Sequence, residues 1–112
     1  MSGEINKELP MVKALQKVVS AHEFLEEAVI TMRSRAASRD KITGERTAAQ
    51  IAQVFNALSG HTLTEADVWQ ILLVLKLVRA RNGNFNRDDY VDMAAYSGLL
   101  GQSESENPER NK

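Results

Sequence analysis

The chain has no cysteine among its 112 residues, which excludes disulfides, zinc–thiolate sites and thiol catalysis. Two histidines are too few for a histidine-rich metal site. Charge of either sign is not in excess. A net charge of −1 gives no pull towards nucleic acid or an anionic membrane, so nucleic acid is not an expected partner. No apolar run approaches the roughly 18 residues that a membrane span needs, so no membrane association is expected. The N-terminus, MSGEINKELP, lacks the basic-then-apolar order of a signal peptide, and the expected location is cytoplasmic. Also missing are a G-x-x-x-x-G-K-[ST] loop, a G-x-S-x-G elbow and an H-E-x-x-H motif. Any phosphate chemistry here must therefore use side chains carried on helices.

What is present is an ordinary globular balance, 43% hydrophobic and 26% charged, in a chain long enough for one domain with its own core. The two prolines and six glycines mark breaks between periodic segments. Pro10 suits the first turn of a helix, where its missing N–H is not needed. From there Met11, Leu15, Val18, His22, Leu25, Val29, Met32 and Ala36 recur in steps of four and three, a heptad seam. The spacing predicts one long helix, bent at most, although "SAHE" at 20–23 also reads as a capping box that would break it near Ser20. Such a seam calls for a homo-oligomer, with Leu15, Val18, Leu25 and Val29 against a second copy.

A second helix is expected over 46–58, its inner face built from Ile51, Val54, Phe55 and Leu58, with Ser59-Gly60 ending it. Thr64 caps a third, which runs to about Arg81 and has Asp67 in its first turn. Seven of the eight residues in 71–78 are aliphatic, so this helix is expected to be central and most buried. Asn86 caps a fourth over 87–100, and its residues Val91, Ala94, Ala95, Gly98 and Leu99 make a surface suited to close packing. The polar tail GQSESENPERNK lacks periodicity and is expected to be disordered. The fold class is all-α: a four-helix, bundle-like single domain over 10–101, with an N-terminal extension at 1–9 and a tail at 102–112.

The eighth residue of that aliphatic run is Lys76. An ammonium group there must reach water or find a partner, because leaving it unpaired in a dry interior costs several kcal/mol. It is either half of a structural ion pair or, with Arg79 one turn on, a receiver of phosphate or carboxylate. Asp89, Asp92 and Tyr96 form one stripe of the fourth helix. Two carboxylates a turn apart can hold a hard cation such as Mg²⁺, or can serve as N-terminal acids matched to the helix dipole. Asp88 reads as a dipole residue alone. Glu23, Glu26 and Glu27 on the first helix are a solvated acidic patch or one side of an interhelical metal site. Gly44, Glu45 and Arg46 put a flexible residue and an acid–base pair at a helix start, where free N–H groups attract anions. His22, in a seam position, reads as a core or interface histidine.

The run from "GERTAAQ" through "FNALSG", "LTE", Trp69, "LKLVR" and "DDYVDMAAYSG" resembles a family of small helical proteins of tailed phages and prophages. That family reads G-E-R-S, F-N-A-[IL]-[ST]-G, L-[ST]-E, W, L-K-x-x-R and D-x-Y-x-D-x-x-A-Y in this order, and the likeness covers about 44–101. Thr47 stands where serine is usual, and Gly98 and Gln102 stand where alanine and glutamate are more frequent. The pattern looks related to phage early proteins described as nucleotide kinases that lack a phosphate-binding loop. It is more distantly similar to the MazG-like all-α nucleotide pyrophosphohydrolases, which hold Mg²⁺ between helices with Glu and Asp. The resemblance implies nucleotide binding (a dNMP or dNTP), with action on its phosphates, in the host-cell cytoplasm. It would place substrate contacts at Gly44, Glu45, Arg46, Lys76, Arg79 and Tyr96 and Mg²⁺ at Asp89 and Asp92. The alternative is a non-catalytic phage protein that binds a host or phage protein through its helical surface.

Overall fold

A computed structural model describes residues 18–39 and 47–110. They form four helices: α1 (Ala21–Arg39), α2 (Thr47–Ser59), α3 (Glu65–Arg81) and α4 (Arg87–Ser105). No strand occurs among the described residues, and none of the helices is long and apolar enough to cross a membrane. The chain is all-α, as its periodicity requires.

The helix starts follow the caps. The chain at 18–20 is not helical, and α1 begins at Ala21. There the Glu23 N–H donates to Ser20 Oγ at 3.2 Å and the Ser20 N–H to Glu23 Oε1 at 3.4 Å. These reciprocal bonds satisfy two otherwise orphaned donors, so the break at "SAHE" prevails over one long helix. The heptad seam does not run through as one helix, and its members Met11 and Leu15 lie outside the described residues. His22, Leu25 and Val29 are exposed rather than packed, because α1 turns Phe24, Ala28 and Met32 inwards.

Thr64 caps α3 in the same way, with Thr64 N–H donating to Asp67 Oδ2 at 2.8 Å and Asp67 N–H to Thr64 Oγ1 at 3.1 Å. Between α2 and α3 the chain turns through Gly60, whose φ of 77° favours a residue without a Cβ. Asn56 then clamps the turn: its Nδ2 donates to the Leu63 carbonyl and its Oδ1 accepts from the Leu63 N–H, both at 2.9 Å. A second positive φ, 88° at Gly83, opens the loop from α3 to α4.

The core has two parts, joined by α4. In one, Ala48 and Ala52 of α2 meet Val68 and Trp69 of α3, with Leu72, Tyr96 and Leu99 packed around them. In the other, Ala28 of α1 meets Val91 and Ala95 of α4, flanked by Phe24 and Met32. α4 is therefore the central helix, with α1 on one side and α3 on the other, while α2 packs on α3. Two expectations are corrected here. α3 is not the most buried helix: Ile71, Val74, Leu75, Leu77 and Val78 are all exposed. Nor do Ile51, Val54, Phe55 and Leu58 form the inner face of α2, for all four are exposed while the alanines at 48 and 52 face in. The reason is steric. Bulky Trp69 fills the space between the helices, and only methyl-sized partners let α2 approach it. Likewise the alanines of α4 admit α1, whereas a Cβ at Gly98 would meet nothing within 4 Å, so that glycine is not a contact point.

α4 also continues to Ser105, past the expected end near Leu100 and into the tail. Nothing in 101–105 stops a helix except glycine, and the first strong stop is Pro108, which biases its predecessor out of the α region. Beyond the helix, Arg110 reaches back to Glu104 at 3.0 Å.

Candidate functional site

α3 and α4 are joined by the short loop 82–86 and so lie side by side. That places Lys76, in the fourth turn of α3, opposite Asp92 of α4. Lys76 Nζ lies 2.8 Å from Asp92 Oδ2, and their side chains are only 14% and 13% exposed. The other oxygen, Oδ1, is 3.6 Å from a terminal nitrogen of Arg35 on α1. One carboxylate thus ties three helices together. The ammonium among the aliphatics has its partner, and the ion-pair reading of Lys76 holds.

It is not the whole account, since the pair lines a cleft of about 500 Å³. Around it stand Arg79 at the end of α3, Asn82, Asn84 and Asn86 from the loop, and Asp88 and Asp89 from the first turn of α4. Asn82 and Asn86 sit in extended backbone at the two ends of the loop, with the positive φ of Gly83 turning the chain between them. Phe85, between two of the asparagines, instead stacks on Tyr90 with centroids 5.6 Å apart. Asn86 also caps α4, its Oδ1 accepting from the Asp88 N–H at 3.0 Å, which leaves its amide NH₂ as a donor.

Asp89 is the unusual member. It is only 7% exposed, and among the described residues its carboxylate has no hydrogen bond and no ion pair, while it lines the cleft. A carboxylate so placed keeps contact with water or a ligand only through the cleft. Its position in the first turn of α4 supplies a favourable dipole but no counter-ion. With Lys76 and Arg79 set against Asp88, Asp89 and Asp92, the cleft holds two cations and three carboxylates. A bare phosphate meets no net positive field there. A divalent cation would reverse that balance.

The remaining expected residues divide plainly. Lys76, Arg79, Asp89 and Asp92 are brought together. Tyr96 is not: its ring packs on Trp69, with centroids 5.7 Å apart, inside the core. One turn beyond Asp92, it follows α4 round towards α2 and α3. Gly44, Glu45 and Arg46 lie outside the described residues. On α1, Glu23 is used by its cap, Glu26 is exposed, and Glu27 accepts from Arg87 Nε at 2.7 Å. Among the described residues no group of three or more His, Asp or Glu side chains is arranged to hold a metal. Asp89 and Asp92 do not make a cage on their own, for Asp92 is already committed to two cations. Sequence reasoning missed the three asparagines, whose alternation at 82, 84 and 86 was the available signal. It gave Asp88 too small a place, and Arg35, far away in the chain, left no signal at all.

A family model, a domain of unknown function (DUF6378), matches residues 24–104, well over half of the chain. The chain belongs to the DUF6378 family. The match takes in α1 from Phe24, α2, α3 and α4 up to Glu104, so in this DUF6378 chain the cleft and the three-helix contact at Asp92 lie within the shared domain. No curated protein and no solved structure matches the chain.

Proposed function

We propose that this chain binds a nucleotide through its phosphates, together with a divalent cation, in the cleft between α3 and α4. The observation that carries the reading is Asp89, a residue only 7% exposed whose carboxylate has no partner among the described residues and lines a cleft also holding Lys76 and Arg79. Mg²⁺ is commonly held by one or two carboxylates plus phosphate oxygens, with water completing its shell. Asp89 suits that role, with Asp88 beside it. Arg79, exposed at the cleft edge, offers a forked donor to phosphate oxygens. Lys76 is aligned by Asp92 and keeps further N–H groups for the ligand. Bound there, Mg²⁺ would supply charge neutralisation at the phosphoryl oxygens. Arg79 and Lys76 would hold those oxygens in place, and the loop asparagines would donate to the rest of the ligand. Whether phosphates are then transferred or hydrolysed, as in the phage nucleotide kinases and MazG-like proteins that the motifs resemble, is a further step built on the same cleft.

The exposed apolar residues of α2 and α3 favour the alternative, a non-catalytic phage protein that binds a protein partner. Thermal melting separates the two. A ligand at 100 times its Kd adds about 2.7 kcal/mol, an upward shift on the order of 10 °C for a domain of this size. The cleft reading expects that shift when a dNMP or dNTP and Mg²⁺ are present together, and a much smaller one with either alone. Asp89→Asn should remove the cooperation with Mg²⁺ while leaving the unliganded melting temperature nearly in place. No shift under any combination would discard the nucleotide reading in favour of the partner-binding one.

A further inference from the structure

α2 is a surface helix without a single charged residue: TAAQIAQVFNALS runs thirteen positions with only amides and hydroxyls as its polar groups. Its exposed stripe is Ile51 at 42%, Val54 at 59%, Phe55 at 42% and Leu58 at 83% exposure. These residues line a groove of about 420 Å³ together with Thr47 and Gln50. On α3, the neighbour of α2, Ile71, Val74, Leu75 and Val78 repeat the same three- and four-residue spacing and are likewise exposed. Summed over these eight residues, the two stripes leave roughly 700–800 Å² of mostly apolar surface in water. That is close to the roughly 800 Å² that each partner contributes to a stable interface. Among the described residues the core, by contrast, buries four alanines, two valines and one tryptophan.

We infer that the α2–α3 hairpin is a self-association surface, on which a second copy of this chain packs α2 against α2 across a two-fold axis. An isologous interface sets each patch against itself, so any charge at its centre would meet its own sign. A charge-free stripe meets that requirement, and interface cores are depleted of charge in general. A partner recognised by charge would find nothing on α2 to pair with. The surface differs from the heptad seam of the first helix. Among the described residues that seam keeps His22, Leu25, Val29, Met32 and Ala36 in one helix, short of the three to four heptads a coiled coil needs.

Light scattering on the full chain at micromolar concentration should give at least twice the 12.5 kDa of one chain. Val54→Glu and Leu58→Glu, each on an exposed position, should weaken association at least a hundredfold and keep the helical circular dichroism. Leu25→Glu should leave the mass unchanged. A second measurement does not depend on those variants folding. Because the chain lacks cysteine, a spin label on Gln50→Cys reports only one site, and the two labels of a dimer should couple at short range. A monomeric mass for the native chain overturns the inference, whether another segment or another protein covers the face instead. So does a dimer that Leu25→Glu dissociates and Leu58→Glu does not, or the absence of coupling between Gln50→Cys labels.

Discussion

Lys76→Met is the most informative single change in this molecule. Methionine nearly matches the volume of the lysine stem, so packing along α3 is conserved and only the charge is lost. What remains is Asp92, 13% exposed and deprived of its 2.8 Å partner. Stripping one member from a fully buried pair costs about 3–5 kcal/mol. Two features of this site reduce that figure. Arg35 stands 3.6 Å from the other carboxylate oxygen, so a second cation remains beside Asp92 when the ammonium is gone. The cleft also lets water reach the carboxylate. We therefore expect a loss of about 1–2 kcal/mol, a fall of the melting temperature on the order of 10 °C. Lys76→Met/Asp92→Asn should recover most of it, since the orphaned charge is gone. Arg35→Ala alone should cost little, about 0.5 kcal/mol, as for an exposed pair. In the Lys76→Met background, however, Arg35→Ala should cost about 2–3 kcal/mol, because Asp92 then keeps no cation among the described residues. Urea melts followed by far-UV circular dichroism measure all four. If Lys76→Met/Arg35→Ala is no less stable than Lys76→Met, Asp92 does not depend on its cations and the account of this site fails. The same Lys76→Met protein should lose nucleotide binding in the melting assay, since its ammonium lines the cleft.

Trp69→Ala should destabilise the domain by about 3–5 kcal/mol, because this ring fills the space between α2, α3 and Tyr96; retention of a cooperative melt near the native temperature would contradict that. Asn56→Ala removes both hydrogen bonds that clamp Leu63 in the turn and should cost about 1–3 kcal/mol in urea titration, whereas a neutral result would mean that water replaces the amide at no loss. Ending the chain after Glu106 should change the melting temperature little, since the residues removed bury no apolar side chain, while ending it before Gln102 should lower it by cutting into α4.

Much of this was legible in the chain itself. Four helices, the capping residues Ser20, Thr64 and Asn86 and the turn glycines Gly60 and Gly83 follow from interactions within a few residues, where sequence spacing and spatial distance are the same thing. The pairing of Lys76 with a fourth-helix aspartate was also foreseeable, because a charge in an aliphatic run has few ways to be satisfied. Which aspartate, and that Arg35 would join it, depended on how α1 and α3 settle on α4, and no local pattern encodes that. Periodicity misjudged the faces of α2 and α3 for a related reason. It finds the stripe richest in large apolar residues, but a helix can approach Trp69 only with its smallest side chains, so Ala48 and Ala52 went inwards and Ile51, Val54, Phe55 and Leu58 were left outside. Hydrophobic pattern fixes that a face must be covered. Only tertiary packing decides by what, and here it set Asp89 in a cleft with no partner among the described residues and left an uncharged apolar surface in water.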